Sequence, residues 1–97
     1  MGESIKHKDI YLHYKVYGSG QRVLFAFHGF AQNNNIFKDF TNLNPNYTVY
    51  AFDLFFHGGS YIQNFDENKD YKPDFIDAIK SVIEKDLITK IDIIGYS

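Results

Sequence analysis

Lys90-Ile91-Asp92-Ile93-Ile94-Gly95-Tyr96-Ser97 is the stretch that decides the fold. Its β-branched run, bounded by a Gly, predicts a buried strand, and a Ser two residues beyond that Gly stands where a strand-to-helix nucleophile elbow would place its hydroxyl. Gly95 is the small residue that a close approach of strand and helix needs. Only the Gly-x-Ser half of Gly-x-Ser-x-Gly is present, so the preceding segments must decide whether Ser97 is a nucleophile or a structural residue.

Immediately upstream, Pro73 suits the first turn of a helix and Asp74 complements its N-terminal dipole, while Phe75, Ile76, Ile79, Val82, Ile83 and Leu87 keep a 3.6-residue period. Ile88-Thr89 then delivers the chain into the strand at 90–94. Residues 61–71 are polar and predict a loop, and its Asp66, Glu67 and Asp70 with Lys69 read as solvated surface because no His stands near to complete a metal site. Before them, Thr48-Val49-Tyr50-Ala51-Phe52 predicts another buried strand. It leads into Asp53-Leu54-Phe55-Phe56-His57-Gly58-Gly59-Ser60, where Gly58-Gly59 forces a turn.

Val23-Leu24-Phe25-Ala26-Phe27 is continuously apolar, the pattern of a parallel strand covered on both faces. His28-Gly29-Phe30 follows at its C-terminal end, where open α/β sheets bind ligands. Residues 31–35 are a polar loop whose Asn residues suit the cap of a short helix carrying Ile36, Phe37, Phe40 and Leu43 on one side, closed by Pro45. Nearer the start, Ile10, Leu12, Tyr14 and Val16 alternate with Tyr11, His13, Lys15 and Tyr17, which predicts a half-buried strand. Residues 4–8 are a weaker strand that Lys8-Asp9 would turn into a hairpin with it. Gly18-Ser19-Gly20 invites a dinucleotide-binding reading, but no third Gly follows and the next segment is a strand rather than a helix. The order strand, strand, strand, helix, strand, helix, strand is α/β with a mostly parallel sheet and an antiparallel N-terminal pair.

Composition narrows the partners. The 97 residues are 44% hydrophobic and 23% charged with a formal net charge of -2, which is globular and lacks the basic face that nucleic acid or an anionic membrane would need. At most one domain fits, and a chain of this length buries only somewhat over about 60% of its unfolded surface. No Cys is present, so no disulfide, thiolate metal site or Cys nucleophile enters, and a reducing compartment is favoured. No apolar h-region follows Met1 and no apolar run reaches the roughly 18 residues of a membrane span, so the expectation is a soluble cytoplasmic protein. Asn46-Tyr47-Thr48 matches a glycosylation acceptor, and without a secretory signal it reads as chance.

Three signals therefore line up at predicted strand ends: His28-Gly29-Phe30, then residues 53–60, then Gly95-Tyr96-Ser97. In this order they resemble the N-terminal part of the α/β-hydrolase superfamily over nearly the whole chain. The resemblance implies that Ser97 is the nucleophile, that the backbone N–H of Phe30 is one oxyanion donor, and that the residue after Ser97 donates the second. Residues 53–60 match a segment that usually reads Asp-x-Pro-Gly-His-Gly-x-Ser, with Phe55 and Phe56 replacing Pro-Gly, and Asp53 would anchor the turn after its strand. Phe30, Phe55 and Phe56 are candidates for an apolar acyl pocket or for core packing.

In the family the acid and the catalytic His follow the nucleophile, and nothing follows Ser97 here. His28 and His57 would organise loops, while His7 and His13 would face solvent in the N-terminal strands, away from the C-terminal strand edge. The strand at 90–94 would expose an unpaired apolar edge, so these residues are expected to belong to a longer polypeptide, as the N-terminal part of one incomplete domain. The expected function is a serine hydrolase acting on a small carboxylic ester or related acyl compound, with no metal or organic cofactor implied. The alternatives are a non-esterase member, such as a C–C bond hydrolase or cofactor-free haloperoxidase, a catalytically inactive binding protein of the same fold, or an unrelated nucleotide-binding domain.

Overall fold

The hairpin at the start forms because alternation gives one strand a single apolar face and Lys8 accepts the left-handed turn that reverses the chain, at φ 53°. In the computed structural model, which describes residues 2–28, 35–53 and 60–96, with the backbone alone at His28, Asn35, Ile36 and Tyr96, the two strands are β1 (Gly2–His7) and β2 (Ile10–Gly18). They pair antiparallel from Gly2↔Lys15 to His7↔Ile10. Ile10, Leu12 and Tyr14 are buried and their odd-numbered neighbours are half-exposed, as the alternation predicts.

The Gly18-Ser19-Gly20 turn leads into a strand, β3 (Arg22–His28), and is packed against residues 46–47. Gly18 has φ +78°, and a Cβ there would lie 2.6 Å from the Tyr47 carbonyl oxygen. Only Gly satisfies both conditions, so steric closeness rather than phosphate binding explains the glycine. Helix α1 (Asn35–Leu43) then returns the chain to β4 (Tyr47–Asp53), which lies parallel to β3. Next come a two-residue strand β5 (Tyr61–Ile62), helix α2 (Lys72–Lys85) and β6 (Asp92–Tyr96), parallel to β3 on its other side. The sheet order is β1-β2-β4-β3-β6, with β5 against β2.

Alternation along each strand builds two cores. On the α2 face, Ile10, Leu12, Tyr14, Phe25, Tyr50, Phe52 and Ile62 meet Ala78 and Val82. Phe52 is fully buried, with ring centroids 5.0 Å from Phe25, 5.2 Å from Tyr14 and 5.1 Å from Phe27. On the α1 face the strands offer the smaller Leu24, Ala26, Val49 and Ala51, covered by Phe37.

Several expectations change. Leu43 is 81% exposed, because six residues beyond Phe37 it sits about 120° away from it around the helix. Leu87 is 85% exposed: α2 ends before it, and Leu87 adopts φ 55° while its N–H donates to the Glu84 carbonyl and the Ile88 N–H to the Ile83 carbonyl. This is a Schellman closure with Leu in the position that Gly usually takes. Ile76, at the margin of the α2 stripe, is also half-exposed. Finally, residues 61–71 are not all loop, since Tyr61 and Ile62 pair with Tyr11 and Ile10, and Ile62 is buried.

Strand β6 is an edge strand rather than a buried one, with Ile93 68% and Ile94 46% exposed. Arg22 and Asp92 clip its start to β3 through an exposed ion pair at 3.0 Å. Among the described residues no helix is long and apolar enough to cross a membrane.

Candidate active site

The ladder hydrogen bonds of the sheet set one row of residues across its C-terminal edge. Asp53 of β4 pairs with His28 of β3 and His28 with Tyr96 of β6, and beside Asp53 stands His13 of β2, one residue before the ladder pair Tyr14↔Phe52. All three sequence signals leave the sheet from this row: Gly29-Phe30 after His28, residues 54–59 after Asp53, and Ser97 after Tyr96. Because adjacent strands are about 4.8 Å apart, the backbones entering Gly29 and Ser97 are nearest neighbours. Ser97 and Phe30 themselves lie outside the described residues, as do His57, Phe55 and Phe56.

The histidines of the N-terminal strands correct the expectation. His13 does not face solvent away from the edge: it stands in the row itself, its Nδ1 2.7 Å from Asp53 Oδ2, with side chains 22% and 12% exposed. A carboxylate on Nδ1 is the arrangement that orients an imidazole for proton transfer at Nε2. Yet β4 and β3 separate β2 from β6, so His13 stands three strand spacings from the row position before Ser97, about 14 Å. That far exceeds hydrogen-bond reach of a nucleophile, and His13 is not placed to be its base. Asp53 is buried at the end of its strand and bonded to His13, while the turn it was expected to anchor, residues 54–59, lies outside the described residues. Ser60, also buried, accepts the His13 backbone N–H at 2.7 Å.

His7 is likewise only partly exposed. Its Nε2 is buried without a hydrogen bond, 3.7 Å from Asp77 Oδ2. His7, Asp74 and Asp77 bring three potential ligand atoms within 4.8 Å of one another. Asp74 is already held by two ammonium groups, Lys69 Nζ at 3.2 Å on one oxygen and Lys8 Nζ at 3.4 Å on the other, which a cation would have to displace. The Lys69 hydrogen bond holds the Asp74 carboxyl below its ordinary value. Asp66, Glu67 and Asp70 are exposed, and Asp66 and Asp70 accept backbone N–H groups of Asn68 and Lys72.

Polar contacts tie the end of α2 to the sheet. Tyr50 of β4 donates its hydroxyl to Asp86 Oδ2 at 2.8 Å, and burial followed by this carboxylate pushes the hydroxyl well above its ordinary value. Lys85 reaches the Tyr14 hydroxyl at 3.2 Å and Glu3 at 3.2 Å, and both bonds raise its ammonium above the usual lysine value. A depression of about 410 Å³ lined by Gln21, Arg22, Val23, Lys90, Ile91 and Asp92 lies at the opposite, N-terminal edge of β3 and β6 and does not belong to this site.

No family model matches the chain, and no curated protein matches it in sequence. Its structure is similar to that of a protein assigned as a lipase from Acinetobacter baumannii, with 26% identity and a TM-score of 0.68 over 100% of this chain and 33% of that one. It is also similar to an epoxide hydrolase from Vigna radiata, at 15% identity and TM-score 0.72, with 100% of this chain and 32% of that one covered. A third similar structure is a thioesterase domain from the curacin biosynthetic pathway, at 20% identity and TM-score 0.71, covering 100% and 37% respectively. The chain thus spans about a third of the length of the structures it matches.

Proposed function

We propose that this chain, whose fold is that of the N-terminal part of an α/β-hydrolase, carries the nucleophile and one oxyanion donor of a serine hydrolase acting on a small ester or related acyl compound. The observation that carries the proposal is the shared row: His28 and Tyr96 are register partners, so the segments that contain Phe30 and Ser97 start side by side. In this reading Ser97 Oγ attacks the substrate carbonyl and gives its proton to a His beyond these residues, itself oriented by an acid. The carbonyl oxygen becomes the oxyanion and accepts the Phe30 N–H. Collapse expels the alkoxide, which takes the proton, and water then hydrolyses the acyl-enzyme. Losing one oxyanion donor typically costs roughly 3–4 kcal/mol in barrier height.

The similar structures support hydrolytic chemistry as a class, since their names span lipase, thioesterase and epoxide hydrolase. They do not agree on one substrate, and the apolar residues Phe30, Phe55 and Phe56 are what favour an acyl group here. The test is labelling of the full-length protein with a fluorophosphonate probe, followed by peptide mass spectrometry. The expected adduct is on Ser97 and disappears in Ser97→Ala. An intact, folded protein that takes up no probe, or takes it up at another residue, would overturn the assignment.

A further inference from the structure

Where β1 meets α2, one imidazole and two carboxylates turn toward a common point. His7 is the last residue of β1, and Asp74 and Asp77 stand three apart in the first turns of α2, so both carboxylates share one face of the helix. One ligand atom from each of the three lies within 4.8 Å of the other two. Although 27% of the His7 side chain is exposed, its Nε2 is buried and makes no hydrogen bond, and Asp77 Oδ2 at 3.7 Å is too distant to accept one. A buried polar atom without a partner requires an explanation, and a bound ion is one that supplies the missing contact. Two ligands of a tetrahedral Zn2+ stand about 3.4 Å apart, and no two can exceed about 4.2 Å, so shifts of about half an ångström would bring all three atoms onto one ion.

The surrounding charges suit a dication. Asp74 is only 7% exposed, and a carboxylate so buried is kept ionised by its partners. Those partners are the ammonium groups of Lys69 and Lys8, whose side chains are 43% and 64% exposed. A divalent ion carries the charge of both, and each lysine can swing its head group into water at little cost, since exposed ion pairs contribute little. An imidazole nitrogen beside two carboxylates favours a first-row ion such as Zn2+ over Mg2+ or Ca2+, which take oxygen ligands.

We propose that His7, Asp74 and Asp77 form a binding site for a divalent first-row ion of the Zn2+ type, which pins the end of β1 to the first turns of α2. β1 lies four strand spacings from β6, about 19 Å, so the ion takes no part in chemistry at the end of β6 and the inference stands apart from the serine-hydrolase reading.

The test uses the full-length protein, stripped with EDTA and dialysed, with Zn2+ as the probe. Calorimetric titration should find one Zn2+ per chain that binds with a Kd below about 50 μM and raises the thermal midpoint. His7→Gln and Asp77→Asn should each weaken that binding at least about tenfold, with metal-free circular dichroism spectra that match wild type. Lys69→Gln, which frees an oxygen of Asp74, should tighten it about threefold. A readout on the unmutated protein is independent of how the variants fold: in long-range 1H–15N spectra, Zn2+ should move the Nε2 resonance of His7. Weaker binding by the wild type, binding that both ligand variants retain (an adventitious ion only), Lys69→Gln binding no tighter than wild type, or a His7 Nε2 resonance that Zn2+ leaves in place would each overturn the proposal.

Discussion

Tyr50→Phe deletes one oxygen and tests how much the join between β4 and the end of α2 contributes to stability. The Tyr50 hydroxyl donates to Asp86 Oδ2 at 2.8 Å, and Tyr50 is 8% exposed. A hydrogen bond to a charged group contributes about 1.5–3 kcal/mol. Asp86 has a side chain 26% exposed and keeps Lys85 Nζ at 3.3 Å, so water and the ammonium replace part of what is lost. The expected cost is therefore near the lower end, about 1.5 kcal/mol, against a total of about 5–15 kcal/mol for a chain of this size. With a urea m-value of about 1.5 kcal/mol/M, the midpoint of unfolding should fall by about 1 M.

The pH dependence has a definite sign. Because the folded hydroxyl is raised above its ordinary value of 10.0, its contribution is complete below pH 10 and is lost as pH rises through the folded value. The difference between wild type and Tyr50→Phe should be equal at pH 7 and pH 9 and shrink above pH 10. In an Asp86→Asn background, Tyr50→Phe should cost measurably less, since the charged acceptor is gone. A loss below about 0.3 kcal/mol at pH 7, or the same loss in both backgrounds, would refute the bond as the source of stability.

Leu87→Gly should stabilise the chain by about 0.5–1 kcal/mol, read as a higher thermal midpoint: it relieves the left-handed strain and removes a side chain that is 85% exposed, and greater unfolded-state freedom offsets part of the gain. A loss of stability would show that Leu87 packs on something. Asp74, whose carboxyl is held low by Lys69 and Lys8, contributes stability that is present above the ordinary aspartate value and disappears as pH falls through the folded one. Asp74→Asn should therefore lower the thermal midpoint at pH 7 and narrow the gap to wild type below about pH 3.5; a gap that widens in acid would contradict the ion pairs.

Much of the architecture was legible because it depends on patterns with a period. Alternation in β2 and continuous apolar runs in β3 and β4 report which faces are covered, and covering decides pairing. Ile62 escaped because two residues carry no period, and its partner Ile10 is 52 positions away. Leu43 and Leu87 misled for a related reason: apolar character continued a helical count past the point where the helix turned or ended. His13 was the site residue least readable in advance. Its place on the polar face of an alternating strand suggested water, and only the register of β2 against β4 reveals a buried carboxylate opposite. The one available signal was numerical, since a strand end at Asp53 in antiparallel pairing needs some β2 residue beside it.

The row that joins Asp53, His28 and Tyr96 makes the register of β6 against β3 a quantity under constraint. Residues 87–91 lead from the closed helix end to the first rung of β6 at Asp92, and within β6 each residue is one rung of about 3.3 Å. A one-residue slip of β6 against β3 would exchange the faces on which Ile93 and Ile94 stand and move Tyr96 off the rung it shares with His28. Substitutions at the exposed Ile93 and Ile94 leave that count untouched. Register is thus the quantity that pairing with β3 constrains, and the exposed side chains of β6 can change without altering it.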